Sequence, residues 1–420
     1  MTTNVRFPES TRVQCCIAGG GPAGMMLGYL LARAGVEVLV LEKHADFLRD
    51  FRGDTVHPST LEVMHELGLL DDFLKLPHQE LRQIGGRIGD EAVVLADFSH
   101  VPARCRFIAF MPQWDFLTFL ANEGTRRYPT FHVVMQAEVD ELIDDDGRVA
   151  GVKGRTPDGP FEVRADLTVG ADGRHSIVRQ RAGLIVVNVG APIDVLWMRL
   201  SRRETDPQQS LGYLTAGQAF VTLQRGEYWQ CGLIIPKGGI DEVRRRGLAA
   251  LRERIAGIVP FMRDRLGELT DWSDIKLLTV LVDRLRCWCR PGLLCIGDAA
   301  HAMSPVGGVG INLAIQDAVA AANFLAGPLR QGSPSIHDLQ RVQRRRELPT
   351  RLTQRIQVFV QDRVLSRVLA ANRPLGVPWP FRLLQRWPFL RQIPARVIGI
   401  GVRSEHVKTP DVFVVTKGTK

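Results

Sequence analysis

Gly19, Gly21 and Gly24 stand in the order G-x-G-x-x-G within "CCIAGGGPAGMML". In this spacing the first glycine allows a tight turn, the second lets the backbone approach a pyrophosphate, and the third lets helix and strand pack closely. A helix opening at such a turn points free N–H groups at phosphate oxygens. Glu42 follows eighteen residues after Gly24 and can accept hydrogen bonds from the ribose of an adenosine. A glycine triplet alone is a weak signal. Set after a strand, at the start of a helix and before a second strand ending in an acid, it reads as a dinucleotide site.

Two later stretches repeat the pattern of a strand running into small residues and an aspartate. "LTVGADGRHSIVR" (167–179) ends in Asp172-Gly173 before a helix begins near Ser176. "CIGDAAHAMSPVGGVGINLAIQDA" (295–318) reaches Gly297-Asp298, then packs Pro305, Gly308, Gly310 and Asn312 ahead of another helix. Each alone could be an ordinary turn capped by an aspartate. His44, His57 and His301 lie in these loops and read as structural hydrogen-bonding groups.

Periodicity supplies the elements that carry these turns. A continuous apolar run, a helical spacing and a second apolar run predict a strand over 13–18, a helix over about 21–34 and a strand over 36–41, a parallel βαβ unit. "PSTLEVMHELGLLDDFLKL" predicts one amphipathic helix, and 131–173 a meander with turns at Asp146-Gly147 and Asp158-Gly159. The segment 186–235 is strand-like and aromatic, and 241–269 predicts a helix pair. Tyr213, Phe220, Tyr228 and Gln230 are candidates for a substrate-facing wall. Strand alternation puts Tyr228 and Gln230 on one face, Trp229 and Cys231 on the other, without saying which face looks at the site.

Together the three fingerprints resemble the single-component FAD monooxygenases of the para-hydroxybenzoate hydroxylase type, over roughly residues 12–330. The resemblance implies an α/β (α+β) fold: a Rossmann-like FAD-binding domain (1–78, 104–185 and 276–330), an inserted antiparallel-sheet substrate domain (79–103 and 186–275) and a basic helical C-terminal segment (331–420). It assigns Gly19, Gly21, Gly24, Glu42, Lys43, Asp172, Gly173 and Asp298 to the cofactor. It also matches Arg52 to the arginine of a mobile flavin loop and Gln113 to a glutamine near the flavin phosphates. Pro305, Gly308, Gly310 and Asn312 would run past the flavin ring, where a helix N-terminus favours negative charge on the reduced ring. The implied chemistry is insertion of one atom of O2 through a flavin C4a-hydroperoxide, with non-covalent FAD and NADPH or NADH as donor. The flavin carries that chemistry, so no nucleophile is expected, and Arg52 and Pro305 are the nearest candidates for catalytic groups. The substrate expected is small, apolar, and aromatic or polyketide- or quinolone-like. The alternatives are a reductase of the geranylgeranyl reductase type and a membrane- or partner-docking flavoprotein. Flavin halogenases share the fold, but their Trp-x-Trp-x-Ile-Pro signature is not reproduced.

Charge and cysteine content narrow the partners. Residues 330–408 hold fifteen Arg and one Lys against four acids, a net of +12 in a chain of formal charge +9. The remainder is slightly acidic, so the chain is not a general polyanion binder, and no nucleic acid is expected. The basic segment, interleaved with Trp379, Phe381, Trp387 and Phe389, suits either a solvated face or an anionic membrane or acidic carrier protein. Seven scattered cysteines read as reduced buried thiols, with no metal site, which fits a cytoplasmic protein, peripheral to a membrane if the tail docks. No uninterrupted apolar run is long enough to cross a bilayer.

Overall fold

The structure, a computed structural model, describes residues 11–48 and 54–414. Its central sheet has five parallel strands. Thr11–Ala18 lies between Val38–Glu42 and the long strand Gly159–Gly170, with Phe131–Met135 and Leu293–Cys295 outermost among the parallel set. Val38–Glu42, Leu293–Cys295 and the second half of Thr11–Ala18 are buried on both faces and read as continuous apolar runs, whereas Phe131–Met135 at the edge is buried only at Phe131. The first half of Gly159–Gly170 pairs antiparallel with Arg148–Thr156, which pairs in turn with Glu138–Asp145, so the meander reads as expected. Helices Pro22–Arg33 and Gly310–Gln331 pack together against this sheet.

A second sheet of seven strands is antiparallel except at one pairing. It joins Gln83–Ile88 and Glu91–Asp97 from early in the chain to five strands between Ile193 and Leu278. One face packs on helix Ile240–Ile258. Within Ile240–Ile258 the chain forms two helical pieces separated at Gly247, which leaves helical geometry at φ +85°, and a 3₁₀ stretch Pro260–Glu268, opened by its proline, follows. The single helix expected over 58–76 is likewise two, Pro58–Glu66 and Leu70–Phe73, because Gly68 turns left-handed at φ +65° between them.

The C-terminal segment is bonded into the fold. Helix Ile336–Val360 opens with a capping box at Ser335 and Asp338 and leads through a π turn, Gln361–Leu365, to Ser366–Ala370, Trp379–Arg386 and Gln392–Gly399. The span Val306–Gln331 is long and apolar enough to cross a membrane by composition, but 83% of its most apolar window is buried inside the protein.

Candidate functional site

The three fingerprints meet at the carboxyl ends of the parallel strands, where an open α/β sheet binds its ligands. Gly19 adopts φ +107°, and a Cβ there would lie 2.4 Å from the carbonyl oxygen of Ala171, so the first and second turns touch. Gly24 carries the helix against its own strand: a Cβ would sit 2.0 Å from the Gly19 carbonyl oxygen. Around Gly21, by contrast, a Cβ would meet nothing within 4 Å, leaving open space at the helix mouth. Glu42, almost buried, accepts the Gly20 N–H at 2.9 Å and the His44 N–H at 3.1 Å, which ties the end of its strand to the turn. Lys43 is exposed beside it, and Gln113 opens the helix Gln113–Arg127. Arg52 lies outside the described residues.

These residues fit a dinucleotide cofactor on a test independent of any motif. Asp172 accepts the Val178 N–H through Oδ2, while its buried Oδ1 has no hydrogen-bond partner in the protein. A buried carboxylate oxygen left unpaired is costly and calls for a donor from a ligand or water. Burial raises the Asp172 carboxyl above the usual aspartate range, against the pull of its hydrogen bonds. Gly173 turns at φ +84°, and Asp298, a third exposed, is 3.6 Å from Arg174.

The loop from Pro305 to Gly310 is laced to the segment after Arg52. Thr55 donates through Oγ1 to the Gly308 carbonyl at 2.8 Å, and Gly308, at φ +61°, has no room for a Cβ against that hydroxyl. Asn312 accepts from the His57 N–H at 2.9 Å and the Thr60 hydroxyl at 2.7 Å, and donates to the Thr55 carbonyl. Asn312 is therefore a clamp within the protein, holding one loop against the other.

Sequence reasoning missed the group that holds the third fingerprint. Asp317, fully buried, accepts the Gly297 N–H, bonds His301 Nε2 at 2.6 Å and accepts Arg346 Nε at 2.9 Å. Its contacts with the His301 ring and the Arg346 guanidinium hold its carboxyl below the usual range despite burial. Arg346 extends the network to Glu405, which also pairs with Arg345 at 2.7 Å. Gln354 and Gln357, on the same tail helix, donate to the carbonyls of Asp283, Ala302, Ser304 and Val306. The tail thus carries structural cations and amides, and Arg345 and Arg346 are not free surface charges. Three of its aromatics do face outward, with Trp379 76%, Phe389 64% and Trp387 48% exposed, while Phe381 packs against Ile88, Val93 and Val377.

The second sheet settles which side each aromatic takes. Tyr213 and Phe220 pack with Trp229 and Cys231 in the core against helix Ile240–Ile258. This corrects the expectation that they line a substrate wall. Their face is the one a helix must cover to bury its apolar stripe. Tyr228 and Gln230 point the other way. The Arg199 guanidinium lies 3.9 Å from the Tyr228 ring centre, and Gln230 accepts from Arg225 Nε at 3.1 Å. Arg225 forms a buried ion pair with Asp54, which follows the Arg52 loop. Burial raises the Asp54 carboxyl to about 6, outweighing the Arg225 charge beside it. Nothing in the sequence except adjacency to Arg52 pointed to Asp54.

A two-sheet flavoprotein fold with glycine turns gathered at the parallel strand ends is the class these features define. The chain belongs to the FAD binding domain family, whose model matches residues 12–356, and it is a flavoprotein of the para-hydroxybenzoate hydroxylase type with FAD as cofactor. The match runs past residue 330, where the resemblance alone had stopped. The chain is 35% identical over 407 residues to 6-methylpretetramide 4-monooxygenase of Streptomyces rimosus, covering 94% of this chain and 95% of that one. It spans 61–66% of the length of three other curated relatives. Among solved structures it resembles OxyS anhydrotetracycline hydroxylase from Streptomyces rimosus, at TM-score 0.72 and 25% identity, covering 94% of this chain and 77% of that one. It shares the fold of p-nitrophenol 4-monooxygenase PnpA from Pseudomonas putida DLL-E4, at TM-score 0.74 and 21% identity, covering 92% and 97% of the two chains.

Proposed function

We propose that this protein is an NAD(P)H-dependent monooxygenase that places one oxygen atom from O2 on an apolar, polycyclic aromatic polyketide. The observation that carries this reading is the end-to-end likeness to 6-methylpretetramide 4-monooxygenase, including the C-terminal segment. When bound, FAD takes electrons from the nicotinamide and delivers the oxygen atom. The chain's own residues have the work of holding and enclosing it. In this reading the Gly19–Gly24 turn cradles the pyrophosphate, Glu42 takes the ribose, and Asp172 and Asp298 accept hydroxyl groups along the chain of the cofactor. Lys43, Gln113 and Gly173 stand at its margins. Pro305 borders the ring, Arg52 is kept as a candidate from the resemblance alone, and the amides leading through Gly308 and Gly310 into the helix favour negative charge at the ring's edge.

On the substrate side, Tyr228 and Gln230 lie on the sheet face that carries Arg225. We keep the division into an FAD-binding part (1–78, 104–185, 276–330), a substrate part (79–103, 186–275) and a tail (331–420) as part of this proposal. Docking of the tail on an anionic surface is a second reading, favoured only by the exposed Trp379 and Phe389 among arginines. Co-sedimentation with anionic vesicles at low salt supports it, and absence of binding removes it.

The test of the main reading is a panel of polycyclic phenols and quinones assayed for substrate-dependent NADPH and NADH oxidation. Coupled O2 uptake and a product heavier by one oxygen support it. A product heavier by two hydrogens identifies a reductase of the geranylgeranyl reductase type instead.

A further inference from the structure

A cleft of about 140 Å³ opens between the Val306–Leu313 segment and the C-terminal segment; Asn312, Arg346 and Gln357, whose bonds within the protein are described above, border it, but no ligand has been assigned to it. Its walls are apolar: Val306 and Leu313 on one side, Pro349, Ile356 and Val360 of the tail helix on another, and Val402 on a third. Its mouth is open, since Ile356 and Val402 are each 40% exposed. Ser59, Asn312, Thr353 and Gln357 also reach the lining, but Gln316 is the one that brings an unpaired donor among the described residues that line it. The Gln316 side chain is 4% exposed, and its Oε1 is taken by the Glu405 N–H, which fixes the amide orientation. Its Nε2 is then a buried donor with no partner in the protein. An apolar cleft with one convergent, unsatisfied polar group has the make-up of a small-molecule site.

We propose that this cleft binds one ring of a flat aromatic ligand bearing a carbonyl oxygen, with that oxygen accepting from Gln316 Nε2. The size argues for a single ring: an engineered apolar cavity of about 150 Å³ holds a benzene molecule. Further rings of the ligand extend through the mouth past Ile356 and Val402. Arg346 lines the cleft as well, but its guanidinium is committed to Asp317, Glu405 and the Arg403 carbonyl, so it offers a ligand no free charge. The part of the ligand inside the cleft is therefore uncharged, while Arg403, also in the lining, is exposed at the surface. This inference does not depend on the reaction proposed above, because it concerns binding alone.

The test uses FAD-loaded protein with 9-fluorenone, a flat ketone, and fluorene, the same ring system without the carbonyl. Wild type binds fluorenone about fivefold more tightly than fluorene, the effect of one neutral hydrogen bond gained over an unpaired donor. Gln316→Glu keeps an acceptor for the Glu405 N–H but faces the ketone with oxygen, and abolishes that preference. Ile356→Trp, at an exposed position on the tail helix, blocks the mouth and weakens both ligands at least tenfold. Melting curves of both variants establish that they are folded, and Ile356→Trp decides the matter should Gln316→Glu not fold. Equal binding of both ligands to wild type, or unchanged affinities in Ile356→Trp, overturns the proposal.

Discussion

Arg346→Met should be the most damaging single substitution in the C-terminal segment, although the segment reads as a surface-charged tail. The Arg346 side chain is 1% exposed and its guanidinium joins Asp317, on the helix after the cofactor loop, to Glu405 near the C-terminus. Removing one partner of a buried ion pair costs about 3–5 kcal/mol, because the other charge stays desolvated without its counterion. Asp317 retains His301 and the Gly297 N–H, and Glu405 retains Arg345, which places the expected loss near 3 kcal/mol, at the low end of that range. Arg344→Met, two residues away on the exposed side of the same helix, should cost within about 0.5 kcal/mol. Adding Asp317→Asn to Arg346→Met removes the stranded charge and should return roughly 1–2 kcal/mol. Urea titration followed by tryptophan fluorescence measures these differences, with Trp288 packed against the His301 ring at 4.9 Å as a local reporter. Equal unfolding midpoints for Arg346→Met and Arg344→Met would refute the reasoning.

The remaining expectations follow from the same geometry. Burial lowers His57 from 6.5 to about 4, so it is neutral when folded and takes up a proton on unfolding below pH 6.5. Its contribution is thus complete above pH 6.5 and lost as pH falls towards 4, amounting to roughly 3 kcal/mol, and His57→Gln should flatten that part of a stability–pH profile. Gly24→Ala should lower FAD retention on gel filtration sharply, since the new methyl meets the Gly19 carbonyl at 2.0 Å; full retention would show that the turn tolerates displacement. Asp298→Ala should lose flavin absorbance while keeping the wild-type circular dichroism, because its side chain is a third exposed and its ion pair with Arg174 is long.

Much of the first sheet was legible because its signals are local. The glycine turn, the Asp146-Gly147 turn and the acid closing the second strand depend on residues within a few positions of one another. The face of the second sheet was not legible, because alternation gives two faces and only the position of helix Ile240–Ile258 says which is covered. For the same reason Tyr213 and Phe220 looked like wall residues and are core. The tail misled through composition. Arginines at 345 and 346 read as solvated until Asp317 and Glu405, 29 and 59 residues from Arg346, are brought to them. Asp317 itself sits in an ordinary-looking "AIQDAVAA", with no short-range feature to mark it as the acceptor for the Gly297 N–H.

The central claim is that oxygen from O2 reaches the substrate. The most direct measurement is mass spectrometry of the product formed from an accepted polycyclic substrate under ¹⁸O2 in ordinary water. The account predicts a product carrying one ¹⁸O atom for each turnover. A product without label, or a substrate merely saturated by two hydrogens, would contradict it.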